Sequence, residues 1–217
     1  MKRLLFVSVL AGFALVTATG PAMAGEWELR FRMVSVSPND DSDEIGGTGS
    51  TVDVDSDIVP EVDVTYMFNE RWGLELIAAT SSHNLRASGG TLAGANLGEV
   101  AVLPPTLTAQ YHFGRDKKAD FYLGLGINST IFYNYDLSSD LATMGVETIK
   151  FDSSWGLAAQ GGIDIGFGSS KWVWNIDVKY IQISTDADIR LVGGGSLDIV
   201  GVDIDPWVFG TGVGYRF

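Results

Sequence analysis

Cysteine is absent from all 217 residues, which excludes a disulfide framework, a thiolate metal site and the lipidated cysteine of a lipoprotein. Histidine occurs only as His83 and His112, and neither sits in a Ser/His/Asp pattern that would announce nucleophilic catalysis, so the chain does not read as an enzyme. Basic residues are scarce, 14 Lys and Arg against 27 Asp and Glu, and the formal net charge is −13. Phosphate backbones would be repelled, so nucleic acid is excluded as a partner. After residue 24 no apolar run is long enough to cross a bilayer as a helix. The glycine runs Gly89-Gly90 and Gly193-Gly194-Gly195 are not followed by a helical pattern, so they read as flexible loops and not as a phosphate-binding turn. No cofactor is implied.

What is present begins with an export signal. Lys2 and Arg3 make a positive n-region, Leu4 to Val16 an apolar h-region, and Ala22-Met23-Ala24 the small-x-small pattern cut by a signal peptidase. Residues 1–24 are expected to be removed between Ala24 and Gly25, leaving 193 residues with net charge −15 once Lys2 and Arg3 are gone. No linker divides residues 25–217, which read as one domain.

The mature chain alternates with period two, the signature of strands. In Trp207-Val208-Phe209-Gly210-Thr211-Gly212-Val213-Gly214-Tyr215-Arg216-Phe217 the odd positions are bulky or apolar except Thr211, and the even ones are mostly glycine. Trp155 to Phe167 repeats the pattern, and Glu61-Val62-Asp63-Val64-Thr65-Tyr66 and Asn175-Ile176-Asp177-Val178-Lys179-Tyr180 alternate charged with apolar residues. A soluble sandwich alternates too, but here Trp27, Phe68, Trp72, Tyr111, Phe113, Phe121, Trp172, Tyr215 and Phe217 gather at strand ends beside short turns. That is the aromatic girdle of a membrane barrel whose apolar face meets lipid and whose lumen is polar.

Eight strands are expected, at 26–36, 59–68, 72–82, 103–113, 121–134, 150–168, 172–187 and 204–217. The intervening segments alternate long (37–58, 83–102, 135–149, 188–203) and short (69–71, 114–120, 169–171). Long external loops and short periplasmic turns follow, with both termini on the periplasmic side. The fold class is therefore all-β: an eight-stranded antiparallel transmembrane β-barrel, expected to be closed on itself as a monomer. The final Tyr215 and Phe217, on one lipid-facing side, look like the signal read by the barrel-assembly machinery.

Several segments, spread in order along the mature chain, carry a resemblance: Val36-Ser37-Pro38-Asn39-Asp40-Asp41, Thr65-Tyr66-Met67-Phe68, Trp72 to Thr80, Leu103-Pro104-Pro105-Thr106-Leu107, Gln110-Tyr111-His112-Phe113-Gly114, Asp152 to Ala158, Asp205-Pro206-Trp207-Val208-Phe209 and Gly214-Tyr215-Arg216-Phe217. Together they make the chain similar to the outer membrane protein W family of small barrels of Gram-negative bacteria. The resemblance implies residence in the outer membrane among its lipids and lipopolysaccharide. It also implies passive, porin-like uptake of small hydrophobic molecules that enter among the external loops and leave sideways through the wall. The family's mid-barrel constriction maps onto Ile77 and Lys179; Lys179 departs from the large apolar residue common there, which puts a hydrophobic gate in doubt.

Physical reasoning adds detail. Eight strands leave a lumen that side chains can fill, so a continuous aqueous pore is not expected. With the aromatics outward, the lumen collects Glu28, Arg30, Arg32, Glu61, Asp63, Glu75, Asp164, Asp177, Lys179 and Arg216, together with Gln110, His112, Asn128 and Gln160. Unpaired charges there would be costly, so a paired network acting as a plug is expected. A lateral exit needs a break in the wall, and Pro104 and Pro105 remove two ladder donors; the alternative is a kink at a strand start outside the membrane. Val100, Val102, Leu103, Phe132 and Ile181, with Ile77, are the expected apolar lining of the external half. The acidic loops, including Asp53-Val54-Asp55-Ser56-Asp57, lack the sixth-place glycine and distal glutamate of a calcium loop, and Asp alternation in an exposed strand explains them. The competing reading of function is a non-transporting surface barrel serving adhesion, host interaction or envelope stability.

Overall fold

The computed structural model describes residues 25–39 and 41–217; the expected signal segment with Ala24, and Asp40 of the first loop, lie outside the described residues. In chain order the first elements are β1 (Glu26–Ser37), β2 (Asp41–Ser42), β3 (Thr51–Val54), β4 (Asp57–Met67), β5 (Trp72–Ala79), β6 (Ser81–Ser88) and β7 (Asn96–Leu103). Then come β8 (Thr106–His112), β9 (Ala119–Leu137), the short helix α1 (Ser139–Thr143), β10 (Val146–Phe151) and β11 (Ser154–Gly166). The chain finishes with β12 (Trp172–Ile181), β13 (Ser184–Leu191), β14 (Gly195–Asp203) and β15 (Trp207–Arg216).

Eight of these strands close a barrel in the order β1-β4-β5-β8-β9-β11-β12-β15, with β15 pairing back onto β1, every pair antiparallel. The alternation read from the sequence decides which face is inside. Along β1, Glu28, Arg30, Arg32 and Val34 are buried, while Leu29, Phe31 and Met33 between them are exposed. Leu125, at 72% exposure, and Trp155, at 74%, show how far this inverts a soluble protein: the apolar side is the outer surface, a belt suited to lipid. Thr211, the polar exception on that belt, is satisfied there, accepting from Trp174 Nε1 at 2.9 Å and donating to the Asn175 carbonyl at 3.1 Å.

A girdle closes the lower rim. Trp27 meets Tyr66 and Tyr66 meets Phe68, Trp72 meets Tyr111 and Tyr111 meets Phe113, Trp172 meets Tyr215 and Tyr215 meets Phe217, with ring centroids 4.8 to 5.2 Å apart. The ends of the described chain lie together at this rim, where Phe217 N donates to Trp27 O at 2.8 Å. β15 seats against β1 through its glycines. A Cβ on Gly212 would stand 2.0 Å from Phe31 O, and one on Gly214 only 3.0 Å from Arg30 Cγ, so the small face of β15 makes room for the arginines of β1.

The long connections are not loops, and this corrects the sequence reading. Residues 83–102 were expected as a loop, yet most of them belong to β6 and β7; the end of β13 and all of β14 occupy most of the expected loop 188–203, and β10 begins inside the expected loop 135–149. β9, at 19 residues, spans about 60 Å at the usual rise per residue. That is more than an apolar band of about 25 Å requires, so its upper end stands clear of the membrane. There the wall divides into two sheets that face each other. One is the upper half of β9 with β7, β6 and β3; the other is β10, β13, β14 and β2. Leu85, Val100, Val102 and Leu97 from the first, and Ile149, Ala187, Ile189 and Val202 from the second, form one apolar cluster, with Leu141 of α1 added from the side.

Candidate functional site

The lower half of the lumen is an ion-paired solid. Arg30, fully buried, places Nε 3.0 Å from Glu28, Nη1 3.3 Å from Asp63 and 3.1 Å from Glu75, and Nη2 2.8 Å from Asp164. Arg32, two residues on and facing the same way, reaches Glu61 at 2.8 Å, Asp63 at 2.7 Å, Glu75 at 3.3 Å and Asp177 at 2.9 Å. Lys179 Nζ closes the top of the network, 2.9 Å from both Glu61 and Asp177. Arg216 closes the bottom, 3.0 Å from Glu28 and 3.2 Å from Asp164. Neutral donors use the lone pairs left over: Glu75 Oε2 accepts from Thr108 at 3.1 Å, Gln110 at 2.9 Å and Gln160 at 2.8 Å. Burial of this many charges is tolerable only because they are paired and hydrogen-bonded together.

All ten charged residues expected in the lumen are therefore in it. Two more were missed. Arg115, assigned to a short turn, folds up under the barrel and bonds Glu28 at 2.8 Å, and Asp120 holds His112 Nδ1 at 2.8 Å. Both lie at or near the turn, where alternation no longer tells inside from outside. His112, Asp120 and Asp164 bring ligand atoms within 4.8 Å of one another, but Arg216 and Arg30 already bring positive charge to these carboxylates, and the trio is a part of the plug.

Above the plug the chemistry changes abruptly. Val34, Val59, Ala158, Ile181, Ile183 and Val208 form an aliphatic ring at the barrel mouth. Over it lies a chamber of about 110 Å³, measured as room for the centres of water-sized molecules, several times what one water needs. Ile77, Val100, Val102, Phe132 and Ile181 all line it, as expected. Leu103 does not: it follows Val102 in β7, and its side chain is half-buried on the other side of the strand, a correction that alternation itself explains. At the proposed constriction the two positions differ in kind. Ile77 is buried against the chamber, whereas Lys179 is tied into the plug beneath it, so this level is a floor with one apolar and one ion-paired side.

Pro104 and Pro105 sit at a true interruption of the wall. β5 pairs β8 from Trp72↔Tyr111 up to Ile77↔Thr106, and β6 pairs β7 from Ser81↔Val102 onward. Between them Ala78–Thr80 and Leu103–Pro105 lie in register without ladder pairing, because neither proline has a donor. Pro104 lines the chamber. The carbonyls are not abandoned: Pro104 O accepts from Thr106 Oγ1 and Pro105 O from Ser129 N, both at 3.0 Å. A second recess opens at the seam of the two upper sheets, where Phe132 and Tyr135 of β9 meet Phe151 of β10 at 5.6 and 5.7 Å; it shares Val100 and Ile149 with the chamber.

His83 was expected at a loop edge. It is instead buried on β6, facing the chamber beside Ser81, with Nε2 2.8 Å from Ser81 Oγ and Nδ1 2.7 Å from the Asp55 carbonyl. The orienting group is a backbone carbonyl where a hydrolytic triad would place a carboxylate.

The profile of the OmpW family matches residues 23–217. Outer membrane protein W of Vibrio cholerae serotype O1 is 36% identical over 217 residues, covering 96% of this chain and 98% of that protein. Its namesake in Escherichia coli K12 is 34% identical over 220 residues, covering 100% of both. The crystal structure of OprG from Pseudomonas aeruginosa superposes with a TM-score of 0.81 at 35% identity, covering 90% of this chain and 97% of that one.

Proposed function

This chain belongs to the OmpW family and is a barrel of the bacterial outer membrane, and on that premise we propose that it passes small hydrophobic molecules inward without an energy source. The solute enters between the two upper sheets, rests in the chamber, is stopped by the ion-paired floor and leaves sideways into the bilayer past Pro104 and Pro105. The observation that carries the reading is the juxtaposition of an apolar chamber with an unpaired stretch of wall at its own level, directly above a lumen closed to water. The alternative, a surface barrel that transports nothing, draws support from the plug but leaves the chamber without a use. No reaction chemistry is assigned to the barrel.

The test is uptake of a small apolar probe into liposomes carrying the purified barrel, with Pro104→Thr plus Pro105→Val as the comparison. Restoring two ladder donors is expected to seal the wall and abolish acceleration while heat-modifiable mobility on gels is kept. If neither form exceeds empty liposomes, the surface-barrel reading replaces this one. If the double variant transports as well as the native protein, the exit lies elsewhere, with the Phe132–Phe151 seam next in line.

A further inference from the structure

We propose that Ser81 and His83 form a polar subsite that accepts the hydroxyl of an aliphatic alcohol whose tail lies in the apolar chamber; the inference rests on the chamber being a solute site. Five polar side chains line that chamber: Glu61, Ser81, His83, Thr106 and Tyr135. Four of them already hold partners. Glu61 is held by Arg32 and Lys179; Thr106 donates to Pro104 O and accepts from Asn128 Nδ2 at 2.9 Å; the Tyr135 hydroxyl donates to Leu97 O; and His83 uses both ring nitrogens.

What Ser81 still offers a solute follows from donor logic. A carbonyl oxygen only accepts, so the proton bonded to Asp55 O must be on His83 Nδ1. In the neutral ring Nε2 is then a lone pair, and the Ser81 hydroxyl must donate to it across 2.8 Å. The Ser81 oxygen keeps its own lone pairs, and no donor among the described residues reaches them. It is an acceptor, buried at 7% exposure and facing a cavity whose walls are mostly apolar. An alcohol entering from water surrenders its hydrogen bonds, and one donated to Ser81 restores the most important of them. An alkane of the same length has nothing to donate. Ser81 is also the first paired residue above the wall break, opposite Val102, so a hydroxyl held there keeps its tail at the level of Pro104.

The mature barrel in lipid nanodiscs is tested for equilibrium binding of 1-decanol and of decane, each corrected for partition into protein-free discs, and in liposomes for uptake of both. The native protein is compared with Ser81→Ala plus His83→Leu and with Ser81→Thr. The double change is needed because Ser81→Ala alone would bare Nε2 as a substitute acceptor. The expected result is a preference for decanol that falls about three- to tenfold in the double variant, the worth of one net hydrogen bond. Decane binding is unchanged, and Ser81→Thr keeps the preference. Heat-modifiable mobility reports that each variant folds. An unchanged preference in the double variant, or no binding of decanol to the native barrel, overturns the subsite. Selective binding without accelerated uptake sustains the subsite and removes the transport reading instead.

Discussion

Replacing Arg32 with methionine tests whether the lower lumen is a dry solid. Arg32 is fully buried and contacts four carboxylates, of Glu61, Asp63, Glu75 and Asp177, at 2.7 to 3.3 Å. Methionine fills much of the stem volume and removes the charge. The loss is not fourfold, because each carboxylate keeps a cation: Arg30 remains on Asp63 and Glu75, and Lys179 on Glu61 and Asp177. The cost is therefore that of breaking one buried pair, about 3–5 kcal/mol. Measured by urea unfolding in lipid vesicles, with an m-value of about 2 kcal/mol/M, the midpoint falls by roughly 2 M. Adding Asp63→Asn returns part of that loss by removing the one negative charge left in excess, Arg30 then serving Glu75 alone of the two. In planar bilayers the native barrel is expected to be nearly silent and the Arg32→Met variant to leak ions, since water must enter to hydrate what the guanidinium had neutralised. A midpoint shift under about 0.5 M with unchanged slope would refute the reasoning, because it would mean that water already solvates these carboxylates.

Salt gives an independent check: raising ionic strength from 0.1 to 1 M cuts the screening length from about 10 Å to about 3 Å. The unfolding midpoint should barely move, because only peripheral pairs such as Arg115–Glu26, with the Glu26 side chain 63% exposed, lie within reach of solvent ions. Gly212→Ala is expected to destabilise by about 1–3 kcal/mol, since its methyl would be driven into the β1 backbone; a neutral outcome in the same unfolding assay would show that β15 can shift without loss. Val100→Trp should fill the chamber and reduce probe uptake to that of empty liposomes while the folded gel mobility persists, and undiminished uptake would place the route outside the chamber.

The barrel was legible because its constraint is strict: one face meets lipid and the other a packed lumen, so every second residue is dictated. The upper sheets obey a weaker rule and were missed. In β6 the inward set is Ser81, His83, Leu85 and Ala87 and the outward set Ser82, Asn84 and Arg86, so the alternation is present but muted by a polar inner half. The second half of β13, beyond the expected strand end at 187, hides in the same way behind its aspartates. Neighbouring glycine-rich tips, such as Gly89-Gly90 with φ of 67° and 54°, then made the whole stretch read as loop. At the site, the residues placed by strand register lie where register put them. Those missed, Arg115 and Asp120, are at a turn, and the Ser81–His83 pair depends on a strand that had not been recognised.

The plug also decides how the protein can be assembled. Arg30 and Arg32 lie on the first strand, yet their partners include Asp164 and Asp177, and Glu28 is matched by Arg216 at the far end of the chain, 188 residues away. A half-made sheet of β1, β4, β5 and β8 would carry the carboxylates of Glu28, Glu61, Asp63 and Glu75 against only the two guanidinium groups of Arg30 and Arg32, and buried charge left over costs several kcal/mol per group. The balance is completed only when β12 and β15 bring Lys179 and Arg216 and the last strand docks on the first. Incomplete cylinders are thereby held out of the hydrocarbon, and insertion and ring closure become a single cooperative event.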